Sequence, residues 1–188
     1  MSYSLNFYLA SLDHIQSSLS QSDSPWFKKA YPLWLEAGEM EENRRSRALW
    51  QEIVTSISEA ARRCAADPSQ SVTLQDDAAL AIAAGIHANS KFIDAMNHSS
   101  RSGALFREQF LGRIGQQLEL LTGRPLSGLV ADSYPCWGYL GRAEVLGLIS
   151  RPKPPLGLDE DREEWLRQFI GILETARRER SDVVTVYS

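Results

Sequence analysis

The chain has 188 residues, of which 43% are hydrophobic and 23% are charged, the balance of an ordinary globular domain large enough to bury a core. The formal net charge is −4, and this disfavours nucleic acid as the main partner because proteins that neutralise phosphates are usually basic. No apolar run approaches the roughly 18 residues of a membrane span, and the N-terminus lacks the pattern of a signal peptide. We therefore expect a cytoplasmic protein that binds neither nucleic acid nor membrane.

The first part of the chain predicts one strand and two short helices. Residues 3–9 alternate between apolar and mostly polar side chains, which predicts a strand with one face on the core. Ser11 is placed to cap a short helix that buries Leu12 and Ile15. Ser24 and Pro25 have the pattern of an N-cap and a first helical residue. We expect Pro32 to break or kink this second helix, because proline removes a backbone donor.

Two longer helices are predicted in the middle of the chain. Residues 39–66 carry apolar side chains at three- and four-residue spacing. Thr73 and Asp76 fit a capping box for a second helix, which is predicted to reach about Asn97. Residues 78–84 are apolar without a polar face, and this pattern is typical of a central, buried helix.

The last part predicts three helices and a strand. The helices are expected over residues 104–121, from about Gly141, and over a final segment whose acidic start and basic end complement the helix dipole. Residues 124–140 look irregular, and residues 151–155 resemble a stiff, proline-rich connector. Residues 183–187 are β-branched and aromatic, so they predict a strand.

Two lone strands at opposite ends of the chain need partners, since an isolated strand pair is marginal in water. The economical solution pairs the N-terminal strand with the C-terminal one and covers them with helices. The sequence therefore predicts a mostly helical α+β fold, in which residues 1–188 form a single domain with a small sheet.

Four segments are distinctive: the N-terminal strand with the letters SYSLNFYL, residues 134–145 with the letters YPCWGYLGRAEV, the Trp165-Leu166 pair, and the closing residues 182–187 with the letters DVVTVY. Together they resemble a bacterial family of stand-alone domains of unknown function. The resemblance implies a fold unit of bacterial origin and supplies no catalytic residues. By analogy, small bacterial proteins of this kind often lie beside toxin or secretion genes.

Aromatic side chains form the most conspicuous candidate site. They cluster in two segments and are Trp26, Tyr31 and Trp34, then Tyr134, Trp137 and Tyr139. Aromatic residues in turn-rich segments often anchor protein interfaces. The alternative is that they fold over the helices as part of the core.

His87, Asp94 and His98 form a candidate metal site. Their spacing would place them on one face of the predicted central helix, and two imidazoles with a carboxylate are plausible metal ligands. The alternative is that they are polar positions near a helix end, since no H-E-x-x-H pattern and no fourth ligand is evident. We therefore predict no metal and no other cofactor, and keep a small metal-dependent enzyme or ligand-binding protein as the alternative function.

Two further candidates are the cysteines and a polar loop. Cys64 and Cys136 could form one disulfide, but their spacing suggests no metal site. We expect Cys136 to be a buried, inert thiol packed against Trp137, because free cysteines are among the most buried residues and no histidine lies near it in sequence to act as a base. Residues 99–103 precede a predicted helix whose start could attract an anion with the help of Arg101 and Arg107. The alternative is an ordinary capped helix start.

None of the familiar catalytic motifs occurs in the sequence. The residues instead favour a bacterial cytoplasmic protein that binds another protein, as an immunity or adaptor protein does, without catalytic activity. Its expected partner is another bacterial protein such as a toxin.

Overall fold

A computed structural model describes residues 2–37, 46–99, 118–150 and 160–187 of the chain. The strands in these residues are β1 Ser2–Ala10, β2 Val72–Leu74, β3 Lys91–Ser99, β4 Leu129–Ala131, β5 Cys136–Leu140 and β6 Asp182–Tyr187. The helices are α1 Leu12–Leu19, α2 Pro25–Glu36, α3 Arg47–Ala66, α4 Asp76–Asn89, α5 Leu118–Thr122, α6 Arg142–Ile149 and α7 Glu160–Glu179.

The first and last strands pair at the centre of a four-stranded antiparallel sheet with the order β3-β1-β6-β5. The register of β1 on β6 runs from Leu5 opposite Tyr187 to Ala10 opposite Asp182. A second, two-stranded sheet joins β2 and β4 in parallel. The prediction of a mostly helical α+β fold with paired terminal strands is confirmed.

Helices cover both faces of the main sheet. On one face, Tyr8 and Val184 pack in a core cluster with residues of α1 to α4. On the other face, Phe7 and Val183 pack in a second cluster with α6 and α7. We expected β1 to bury only one of its faces. This is wrong towards the C-terminal end of β1, where the consecutive residues Phe7 and Tyr8 are buried on opposite faces of the sheet.

The predicted starts of α1 and α2 are confirmed. The Ser11 hydroxyl oxygen accepts a hydrogen bond from the backbone N–H of His14 at 3.3 Å, and Pro25 is the first residue of α2. Pro32 was expected to break or kink α2; the break is wrong, because α2 continues to Glu36. A proline costs a helix one donor, and the fully buried Trp34 that follows it holds the helix against the core.

Several boundaries in the middle of the chain differ from the prediction. Helix α3 begins after Ser46, whose hydroxyl oxygen accepts from the N–H of Leu49 at 3.2 Å, and residues 38–45 lie outside the described residues. Thr73 lies in β2, and the N-cap of α4 is Gln75. The capping box is therefore wrong.

Helix α4 ends at Asn89, and the chain then forms β3. The predicted continuation of this helix to about Asn97 is wrong. The Asn89 side-chain amide donates to the carbonyl oxygens of Gly85 at 2.9 Å and Trp26 at 3.0 Å. The Asn89 side chain therefore bonds the last turns of α4 to the first turn of α2.

Helices α2 and α4 approach closely because α4 carries small residues. A Cβ atom added at Gly85 would lie 2.0 Å from the Trp26 ring, so the indole occupies the space that any other side chain would need. The expectation of a central, closely packed α4 is confirmed, since residues 81–86 are all buried.

The C-terminal part contains more strand than predicted. Residues 124–140 include β4 and β5, so the expectation of irregular structure is wrong. The predicted final helix and strand are confirmed as α7 and β6, and Gly141 is the N-cap of α6. Most of the helix predicted over residues 104–121, like the connector at 151–155, lies outside the described residues. Across the described ranges, no helix has both the length and the apolarity of a membrane span.

Candidate functional site

The six candidate interface residues divide into two groups. Trp26, Trp34 and Trp137 are at most 2% exposed. These three belong to the core, which was the alternative to an interface role. Tyr31 and Tyr139 are half-buried, and Tyr134 is 48% exposed. The candidate interface is therefore built from tyrosines.

Tyr31 lies at the outer edge of an aromatic cluster on α2. Its ring stacks on Trp34, with 6.4 Å between centroids, and lies 5.5 Å from the ring of Trp50. The Trp34 indole N–H donates to the backbone carbonyl of Asp77 at 3.2 Å. This bond fixes the C-terminal half of α2 to the first turn of α4.

Tyr134 belongs to the loop between β4 and β5, and the two residues that precede it are held by hydrogen bonds. The N–H of Asp132 donates to the carbonyl of Leu74 at 3.2 Å, and the Ser133 hydroxyl donates to the carboxylate of Asp76. The Tyr134 ring packs edge-on against Tyr187, with 5.1 Å between centroids. Tyr134 is therefore exposed and fixed in position.

Both aromatic segments thus contact the first turn of α4, one through Trp34 and the other through Ser133. We call the exposed part of this region the α4 N-terminal surface and define it by Asp76, Asp77, Asp132 and Tyr134. Carboxylates in the first turn of a helix are stabilised by the helix dipole, and Asp76 and Asp77 occupy that turn. The surface offers an aromatic ring beside hydrogen-bond acceptors, which suits the donor groups of a protein partner better than it suits a phosphate.

Tyr139 lies in a different environment. The Arg124 guanidinium lies over its ring, 4.1 Å from the centroid, and Nη1 of Arg124 donates to the Tyr139 carbonyl at 3.1 Å. The same nitrogen donates to both carboxylate oxygens of Glu144, at 2.9 Å and 2.7 Å. One face of the Tyr139 ring is already covered, so its role at an interface stays a prediction.

The candidate metal ligands do not share a helix face. His87 lies in the last turn of α4, whereas Asp94 and His98 lie in β3, where a spacing of four residues spans about 13 Å. Asp94 is opposite Phe7, whose side chain packs on the face of the sheet away from α4. Among the described residues, no group of three or more His, Cys, Asp or Glu side chains could hold a metal.

His87 instead pairs with a buried tyrosine. The Tyr8 hydroxyl lies 3.0 Å from Nδ1 of His87, and burial raises the pKa of Tyr8 above its ordinary value. The Tyr8 ring also contacts Phe92 of β3, with 5.6 Å between centroids. Phe92 is 51% exposed and was not among the residues that the sequence singled out, since the chain around it was expected to be helical.

The remaining candidates do not form a site in the described residues. Cys64 and Cys136 form no disulfide, and Cys136 is half-buried at the start of β5 rather than fully buried as expected. The proposed anion site at residues 99–103, with Arg101 and Arg107, falls almost entirely outside the described residues.

Comparisons with protein-family models, curated proteins and solved structures found no match. The resemblance to a bacterial family of unknown function therefore stays a prediction. The α4 N-terminal surface has to be interpreted from its own chemistry.

Proposed function

We propose that this chain is a bacterial cytoplasmic protein of the immunity or adaptor type, which binds another bacterial protein, such as a toxin, without catalysing a reaction. The observation that carries the proposal is Tyr134, which is 48% exposed on a loop whose two preceding residues are held by hydrogen bonds. Tyrosine is among the residues that contribute most to protein interfaces.

The rigidity of the loop supports this role. Ordering a flexible side chain on binding costs about 0.5–1.5 kcal/mol. Tyr134 already rests against Tyr187, and its neighbour Ser133 is bonded to Asp76. A partner would therefore find the ring in place, and less of the contact energy would be lost to ordering.

The surroundings of Tyr134 favour a specific contact. Asp132 lies two residues before it in the chain, Asp76 is bonded to the adjacent Ser133, and both carboxylates are exposed. An interface anchor works best when polar groups around it exclude water and fix the orientation of the partner. The α4 N-terminal surface has that composition.

Photo-crosslinking in the native bacterium tests the proposal. A photoreactive phenylalanine analogue replaces Tyr134 in the tagged chain, and the matched control carries it at Phe92, an equally exposed aromatic on the opposite edge strand. We expect one stoichiometric protein adduct from position 134 and none from position 92. Adducts from position 92 alone, or none from either position, would contradict the proposal.

A further inference from the structure

Among the described residues, β3 is the longer of the two edge strands of the main sheet. It has nine residues and pairs only with β1 within the part of the chain that the structure describes. The opposite edge, β5, has five residues. An edge strand presents backbone N–H and C=O groups onto which a strand of another molecule can add. Strand addition would therefore be expected first at β3.

The backbone N–H and C=O groups of Ala95, in the middle of β3, already form hydrogen bonds with side chains. Asp94 Oδ1 accepts from the Ala95 N–H at 2.8 Å, and Nε2 of Gln168 on α7 donates to the Ala95 carbonyl at 3.1 Å. The N–H and C=O of one strand residue point to the same side of the strand. Ala95 therefore directs both groups to the open edge, where Asp94 and Gln168 bind them.

The preceding residues of β3 are also unsuited to strand addition. Tyr8 is opposite Phe92 and Phe7 is opposite Asp94, so Ile93 is an extra residue in a β-bulge. A bulge disrupts the hydrogen-bond ladder and twists an edge away from a partner. Lys91 adds an exposed charge, bonded to Glu179 of α7 at 2.5 Å.

We propose that Asp94 and Gln168 form an edge lock, which prevents β3 from pairing with β3 of a second copy of the chain. Two copies related by a two-fold axis would present the same antiparallel edge to each other, so an unlocked β3 is self-complementary. The edge lock gives a role to Asp94, which the sequence offered only as a candidate metal ligand. It concerns a different surface from the α4 N-terminal surface and does not depend on the proposed function.

Sedimentation of the full-length chain from micromolar to millimolar concentration tests the edge lock. The test variant carries Asp94→Ala and Gln168→Ala, and each single substitution is measured as well. The matched control carries Asn97→Ala and Glu174→Ala, exposed residues of the same strand and helix. A third variant adds Ala95→Pro to the unlocked pair and so removes the edge N–H. Circular dichroism confirms that each variant is folded.

We expect the unlocked variant to self-associate at least about tenfold more tightly than the wild type, the effect of about one net hydrogen bond. The control variant should sediment like the wild type, and Ala95→Pro should restore that behaviour. An unlocked variant that sediments like the wild type would overturn the proposal. So would equal association of the control, or association that persists with Ala95→Pro.

Discussion

The ring of Tyr134 packs edge-on against the ring of Tyr187, with 5.1 Å between the two centroids. Tyr134 is 48% exposed, whereas Tyr187 is 3% exposed. Tyr187 is the last residue of the central strand β6 and lies opposite Leu5 of β1 and Cys136 of β5. The exposed ring is thus supported by a buried residue that pairs with a strand on each side.

The tether between Ser133 and Asp76 is expected to hold the Tyr134 loop. Ser133→Ala removes the hydroxyl that donates to the Asp76 carboxylate, which is a loss of about 1 kcal/mol of local stability. We expect the amide protons of Tyr134 and Cys136 to exchange about fivefold faster in native-state hydrogen exchange. Ser150→Ala, which removes a helix-end hydroxyl bonded to the Gly147 carbonyl, should leave these amides unchanged. Equal exchange in wild type and Ser133→Ala would show that the tether does not hold the loop.

Gly138 and Gly147 are expected to respond oppositely to alanine. A Cβ at Gly138 would lie 2.3 Å from the backbone of Leu121, so Gly138→Ala should lower the free energy of unfolding by about 3 kcal/mol or more. Gly147 lies in α6 with nothing within 4 Å of an added Cβ. Gly147→Ala should raise the free energy of unfolding by about 0.5–1 kcal/mol, because alanine favours the helix. Urea denaturation measures both, and a tolerated Gly138→Ala would refute the close approach of α5 to β5.

One carboxylate joins the starts of two helices. Asp182 Oδ2 accepts from the N–H of Leu12 at 3.0 Å, and Oδ1 accepts from the N–H of Arg142 at 2.9 Å. Loss of a capping acceptor costs about 0.5–2 kcal/mol, so Asp182→Ala should cost about 2–3 kcal/mol of unfolding free energy. Asp182→Asn keeps one acceptor and should lose roughly half as much. Thermal and urea unfolding give the order, and equal losses in the two variants would contradict a separate stabilising contribution from each acceptor oxygen.

Tyr8 is expected to make stability depend on alkaline pH. Burial raises the pKa of Tyr8 in the folded state, so the folded chain keeps this proton after the unfolded chain has released it. The stability that Tyr8 contributes is complete below about pH 10, the ordinary tyrosine value, and is lost as the pH rises from there through the folded-state pKa.

Tyr8→Phe isolates this contribution. The variant should lose up to about 1 kcal/mol near neutral pH, because the hydrogen bond to His87 is removed. Its unfolding free energy should then fall less steeply than that of the wild type above about pH 10. Urea denaturation at a series of pH values measures the two curves, and parallel curves would contradict the assignment.

Local patterns in the sequence were sufficient to predict the first and last elements of the fold. The alternation in residues 3–9 and the β-branched residues 183–187 predicted the paired strands β1 and β6. The start of α2 at Pro25 also depends on chemistry within a few residues. These elements could be predicted because their signals are contained in the segment itself.

The boundary between α4 and β3 depends on contacts that are distant in sequence. Asn89 ends the helix with a hydrogen bond to Trp26, which is 63 residues away, and no glycine or proline marks the position. The capping box failed for a related reason, since Thr73 pairs with Val130 of β4. In both cases, contacts between segments far apart in the sequence determined the structure, and the local pattern did not.

The candidate site shows the same limit. The aromatic residues were found from composition, but whether a ring is core or surface depends on what packs over it. Trp34 is buried because α4 lies beside α2, and Ser133 meets Asp76 across 57 residues. Nothing in either segment alone indicates that contact.

Whether Tyr134 anchors a protein partner is decided by the affinity of the partner captured at position 134. Titration calorimetry measures this affinity for the wild type, Tyr134→Ala and Phe92→Ala. An aromatic anchor at an interface contributes about 2 kcal/mol or more, so Tyr134→Ala should weaken binding about thirtyfold or more. Phe92→Ala should change the affinity by no more than about twofold, the effect of a peripheral residue. Equal affinities for the two variants would contradict the proposal that Tyr134 anchors a protein partner.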